Sequence, residues 1–149
     1  MKYIGIDIGA KGGLTCLFKE EVFILDYDLT MYIDFLKILE PKECKILIES
    51  VHSMPSQGVS SMFSFGTRAG EIIGILETLG FEYEYITPQK WIKLLSVVPK
   101  SGKEGTYDRL KVLYPEPVIN MLRTKRGRLL DGRSDSLAIA TVCKIKEHK

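Results

Sequence analysis

The spacing of apolar residues changes from segment to segment along this chain, and each change marks an element. In MKYIGIDIG, Ile4, Ile6 and Ile8 alternate with Tyr3, Gly5 and Asp7, which predicts a strand over 2–8 with both faces apolar. Gly9, Gly12 and Gly13 mark a turn, after which LTCLF (14–18) and VFILDY (22–27) pair back as an antiparallel meander. MYIDFLKIL (31–39) carries apolar residues at helical spacing and is stopped by Pro41. KILIE (45–49) is a continuous apolar run, the pattern of a strand covered on both faces. SVHSMPSQGVSS reads as a loop, followed by a long helix over roughly 60–79 that ends at Gly80, and FEYEYI (81–86) alternates as a fifth strand. Thr87 and Pro88 supply an N-cap and a first-turn proline for the next helix. The polar, glycine-containing stretch 98–106 reads as mobile, YDRLKVLY as a short helix ended by Pro115, and 131–146 as the last helix. The expectation is one α/β domain over 1–149: a mixed five-stranded sheet, an antiparallel three-strand meander plus parallel strands, flanked by helices.

Composition narrows the class. Of 149 residues 45% are hydrophobic and 27% charged, as in ordinary globular proteins, and no apolar run approaches a membrane span or a signal core. Cys16, Cys44 and Cys143 are widely spaced with no CxxC pair, which suits reduced thiols and a cytoplasmic setting. Net charge is only +2, but its distribution is uneven. Arg123, Lys125, Arg126, Arg128 and Arg133 crowd a segment whose sole acid is Asp131, and Lys90, Lys93, Lys100 and Lys103 form a second group. Such clusters are either solvated faces or a phosphate-binding surface.

The acids are the informative residues. Asp7 and Glu49 both stand at the ends of strands whose other residues are made for burial, and an unpaired buried charge is costly. Ligand sites of open α/β sheets cluster beyond strand C-termini, so two such strands side by side bring two carboxylates together. On the last helix Asp135 shares a stripe with Ile139 and Val142, and Asp131 lies one turn earlier. Three of the acids have a plainer reading alone: Asp7 as a turn residue before Gly9, Glu49 as a partner for a lysine, Asp131 as a helix cap; Asp135 is harder to dismiss, because it interrupts an apolar stripe. Taken together, acids converging from three elements repel one another without a cation, and hard oxygen ligands suit Mg²⁺ or Mn²⁺.

Four stretches in this order, IGIDIGAKGG, ILIESVHSMPSQGVSSMFSFG, TPQKW and DGRSDSLAIA, resemble the RNase H-like nuclease superfamily, and within it RuvC-like Holliday-junction resolvases of the phage type. The resemblance implies a metal-dependent endonuclease that acts as a homodimer on four-way DNA junctions, and a cytoplasmic protein of possible phage or prophage origin. It carries the catalytic and metal-binding acids onto Asp7, Glu49 and Asp135, with Asp131 as the fourth. The family often spaces its last two acids three apart; here they are four apart, still on one helical face. It also uses a lysine before the short helix, a place that Lys103 matches best and Lys100 next best. Phosphodiester hydrolysis needs an activated water and a stabilised leaving 3′-oxygen, and two Mg²⁺ ions per site, or Mn²⁺ in their place, can do both.

The loop after the second acid offers His52, Ser53, Gln57 and Ser60 to DNA, His52 as a candidate for stacking on an unpaired base or else as an ordinary surface histidine. Lys90, Lys93, Lys100, Arg126, Arg128 and Arg133 are the candidate phosphate contacts. Phe63 and Phe65 read more readily as core. Gly66, Gly70 and Gly74 recur every four residues on a helix, where each glycine costs about 1 kcal/mol, so their face should meet either the protein's own sheet or a second subunit. The competing functions are an RNase H-fold nuclease for other branched DNA or for RNA, a non-catalytic nucleic-acid-binding module of the same fold, and an actin-like ATP-binding domain. For the last, the chain is short and lacks a second phosphate loop.

Overall fold

The computed structural model of the chain describes residues 1–50 and 58–149. A five-stranded sheet runs through it in the order β3-β2-β1-β4-β5. The strands are β1 (Lys2–Asp7), β2 (Gly13–Phe18), β3 (Glu21–Asp26), β4 (Cys44–Glu49) and β5 (Glu84–Ile86). β1 pairs antiparallel with β2 and parallel with β4, and β4 pairs parallel with β5. The expected meander and the expected parallel strands are therefore both present. The sheet is mixed and flanked by helices, which is the RNase H-like arrangement.

β1 lies at the centre, and its two-residue period decides which helices it meets. Ile4, Ile6 and Ile8 join Leu14, Cys16, Ile46 and Ile48 under α1 (Leu29–Lys37) and α2 (Val59–Leu79), which contribute Tyr32, Leu36, Ile72 and Leu76. Tyr3 lies on the other face, with Leu17, Leu47 and Ile86, under α6 (Asp131–Glu147) and α3 (Pro88–Leu94). Gly5 is what lets α6 come so close. A Cβ there would collide with the backbone of Ser136 and Ala140. Gly132, at the start of α6, is held as tightly, because a Cβ would run into the carbonyl of Lys11 in the β1–β2 turn. Between these two points the buried hydroxyls of Thr15 and Ser136 share a 2.7 Å hydrogen bond.

Three boundaries differ from the sequence reading. The polar stretch read as mobile is helical from Gly102 onward, because α4 spans Gly102–Leu113. Gly105 and Thr106 are buried there, and Gly105 sits so close to Ser101 that no side chain would fit. β5 is three residues rather than six. The N–H of Phe81 turns back to Leu76 O and the N–H of Gly80 to Glu77 O, with Gly80 at φ 80°, so the start of FEYEYI closes the C-terminus of α2. A one-turn helix, α5 (Glu116–Asn120), follows Pro115. Among the described residues no helix is long and apolar enough to cross a membrane.

Candidate active site

The carboxyl ends of β1 and β4 are adjacent, since Ile6 pairs with Ile48, so Asp7 and Glu49 emerge side by side. The glycine contacts described above set the first turn of α6 against the β1–β2 turn, and this adds Asp131 and Asp135 to the same sheet edge. Asp7 and Asp135 feel the charges of the other acids. Burial first, then the charges of Glu49, Asp135 and Asp131, push the Asp7 carboxyl up to about 8. Burial, then Glu49 and Asp131, push Asp135 up to about 7. Burial also raises Glu49, against the opposing effect of a hydrogen bond from Trp91. Burial would raise Asp131 too, but the bonded ammonium of Lys103 holds it below the usual carboxylate range.

Two of the acids already have partners. Trp91 Nε1 donates to Glu49 Oε2 at 2.6 Å, with both residues buried. Lys103 Nζ donates to Asp131 Oδ2. The described residues contain no group of three acidic, histidine or cysteine side chains arranged to hold a metal ion. The donor set nevertheless fits a hard divalent cation. Four carboxylates share one edge, and two of them are driven toward neutrality by desolvation and mutual repulsion, which a bound cation relieves.

Of the two candidate lysines, Lys103 is the one in contact with the acids; Lys100 is exposed, with a left-handed backbone at φ 59°. Lys90 and Lys93 are exposed on α3. Arg126 and Arg128 are exposed on a tight hairpin closed by the Arg123–Leu129 bridge and by Gly127 at φ 86°. Arg123 fixes that hairpin to α4, through a 2.5 Å ion pair with Glu104 and by stacking over the Tyr107 ring. No ion pair among the described residues engages Lys125, Arg126 or Arg128. Arg133 differs: it grips Asp26 with two bonds of 2.7 and 2.8 Å and Met121 O with a third, tying α6 to β3. Ser60 is exposed in the first turn of α2, whereas His52, Ser53 and Gln57 lie outside the described residues.

Phe65 packs on the α1–α2 core, but Phe63 is 76% exposed. Gly66, Gly70 and Gly74 do not pack on the sheet, as a Cβ at any of them would meet nothing within 4 Å. Trp91 is the residue at the site that sequence reasoning did not place there. Its signal was TPQKW, read as a helix start and as part of a resemblance, with no role for the indole.

The class this geometry defines is an RNase H-like fold bearing an acidic centre at one sheet edge. Among solved structures, the chain resembles Thermus thermophilus RuvC in complex with a Holliday junction substrate, at a TM-score of 0.67 and 15% identity, over 99% of this chain and 96% of that one. A second Thermus thermophilus RuvC structure matches over the same shares at a TM-score of 0.61 and 15% identity. No family model and no curated protein sequence matches.

Proposed function

We propose that this chain is a metal-dependent endonuclease that resolves four-way DNA junctions by paired phosphodiester hydrolysis, acting as a homodimer. The observation that carries the reading is the meeting of Asp7, Glu49, Asp131 and Asp135 with Lys103 at one sheet edge, in a fold shared along nearly its whole length with a junction-bound RuvC. Asp7, Glu49 and Asp135 are the residues to hold Mg²⁺ or Mn²⁺, with Asp131 as a fourth. Ions held there would supply an activated water and stabilisation of the leaving 3′-oxygen. Lys103, bonded to Asp131 beside the other acids, would bring positive charge to the scissile phosphate. The hairpin with Arg126 and Arg128 holds the backbone of an arm by charge alone, which positions the DNA without reading its sequence.

The dimer reading rests on α2. Val59, Phe63, Gly66, Gly70 and Gly74 fall on one arc of this helix, with Val59 80% and Phe63 76% exposed. A bare-backbone groove beside an exposed aromatic ridge is a self-complementary surface, and a two-fold protein suits symmetric cuts on two strands.

The test is cleavage of a synthetic four-way junction beside linear duplex and RNA–DNA hybrid, in Mg²⁺ and in EDTA. The reading expects the junction to be cut in Mg²⁺ only, and Asp7→Asn and Asp135→Asn each to lower the rate by at least ~10³-fold, roughly 4 kcal/mol of barrier. Preferential cutting of the hybrid would move the assignment to a different nuclease of this fold.

A further inference from the structure

We infer that Trp91 is a positioning residue for the Glu49 carboxylate, and that its indole N–H sets the affinity of the site for its divalent cation. The inference rests on the metal-centre reading above. It begins from the sheet register. Glu49 pairs with Ile86 across β4 and β5, and the N–H of Ser50 bonds Ile86 O at 2.8 Å. The chain then turns at once into α3. Thr87 caps it by accepting from the N–H of Lys90, Pro88 opens the first turn, and the N–H of Trp91 bonds Thr87 O. One helical turn therefore returns residue 91 over the end of β4. Trp91 is 3% exposed and packs in the core cluster that contains Leu47, Leu95 and Leu137, so its indole is fixed by packing.

An indole N–H is a donor and nothing else, so it pairs with a carboxylate and does not compete for a cation. It takes Oε2 and leaves Oε1 without a hydrogen bond to any described residue. Outer partners of this kind hold a ligand in one orientation, and their removal typically costs 10–100-fold in metal affinity. An aliphatic or phenyl side chain would fill the same core volume without orienting the acid. The packing of this region therefore does not by itself explain why a donor stands there.

Trp91 is also the only tryptophan in the chain, so tryptophan emission reports on this site alone. Three forms of the full chain decide the matter: wild type, Trp91→Phe, and a protein with 3-benzothienylalanine at 91, which keeps the indole shape with sulfur in place of N–H. Mn²⁺ is titrated calorimetrically, and junction cleavage is measured against Mg²⁺ concentration. The inference expects Mn²⁺ affinity 10–100-fold weaker in both substituted forms, with cleavage recovering to within a few-fold of wild type at saturating Mg²⁺. It also expects Mn²⁺ to change the emission of Trp91 in wild type but not in Glu49→Gln. Equal Mn²⁺ affinity in the benzothienyl form and wild type overturns the inference and leaves the nuclease reading intact. A wild type that binds no Mn²⁺ overturns both. Should Trp91→Phe fail to fold, the Mn²⁺ affinity of the isostere gives the same decision.

Discussion

Two helices in this molecule carry small residues at every fourth position, and they meet opposite surroundings. On α6 these are Gly132, Ser136 and Ala140, all buried, with backbone pressed against Lys11 and Gly5 of the β1–β2 unit. On α2 they are Gly66, Gly70 and Gly74, with open space beyond each. The spacing is the same because the geometry is the same: a four-residue period keeps small side chains on one slowly drifting face where another backbone can approach. What differs is what stands opposite. β1 offers a glycine to α6, so the two surfaces close on each other and deliver Asp131 and Asp135 to Asp7. Among the described residues, nothing offers such a surface to α2. A small-residue stripe therefore announces a close approach without saying whether the neighbour is internal.

The largest effect should come from breaking the α6 seam. Gly5→Val puts branched carbon into the Ser136–Ala140 backbone, and overpacking that neither side can relieve should cost at least ~3 kcal/mol. Chemical denaturation should show a large drop in midpoint or no folded protein, and a midpoint near that of wild type would mean the seam has slack.

The closeness of that seam also has an electrostatic cost. The folded chain holds protons on Asp7 and Asp135 up to about 8 and about 7, which the unfolded chain releases in the ordinary carboxylate range. Between about pH 4 and 8 the native state thus binds more protons, so in EDTA its stability should fall as pH rises through that window and level off above it. Asp7→Asn should flatten the profile and raise the melting temperature at pH 8 by roughly 3–8 °C. Thermal melts from pH 5 to 8.5 check this, and a flat wild-type profile would contradict it.

On α2 the sign should reverse. Gly70→Leu relieves a helix-interior glycine, so the monomer should gain about 0.5–1 kcal/mol while the proposed dimer is blocked. Sedimentation should find a folded monomer with a raised melting temperature; an unchanged dimer would show that the stripe faces no second subunit. The smallest effect belongs to the hairpin. Arg126→Ala with Arg128→Ala should leave folding untouched and reduce the slope of log K against log salt by about 0.9 for each phosphate that is no longer neutralised. An unchanged slope in junction-binding titrations would remove both arginines from the interface.

Much of this was legible in the chain. Alternation in β1 and the apolar run of β4 depend on burial on two faces, which leaves a direct mark on residue type. Thr87 and Pro88 mark the start of α3 through local chemistry that needs no tertiary partner. The acids were conspicuous because they end strands otherwise built for the core. What escaped was set by contacts between distant segments. Residues 102–106 are polar and contain two glycines, yet they are helical, with Gly105 and Thr106 buried. Phe81 alternates with its neighbours like a strand residue but is bonded back to the helix before it. Phe63 has the composition of a core residue and stands in solvent. The bond from Trp91 to Glu49 depends on the register of β4 against β5, which no local pattern encodes.

The central place of β1 has a consequence for how the protein is made. Asp7 is made well before Asp135, and α6 is the element that covers the Gly5 face of β1. Contacts so distant in sequence form late, after much loop-closure entropy has been spent. A chain whose synthesis has not yet reached α6 leaves the Gly5 face of β1 uncovered and lacks Asp131 and Asp135. On the nuclease reading, the proposed centre is thus assembled only with the helix that covers the Gly5 face of β1, and a product lacking α6 does not carry it.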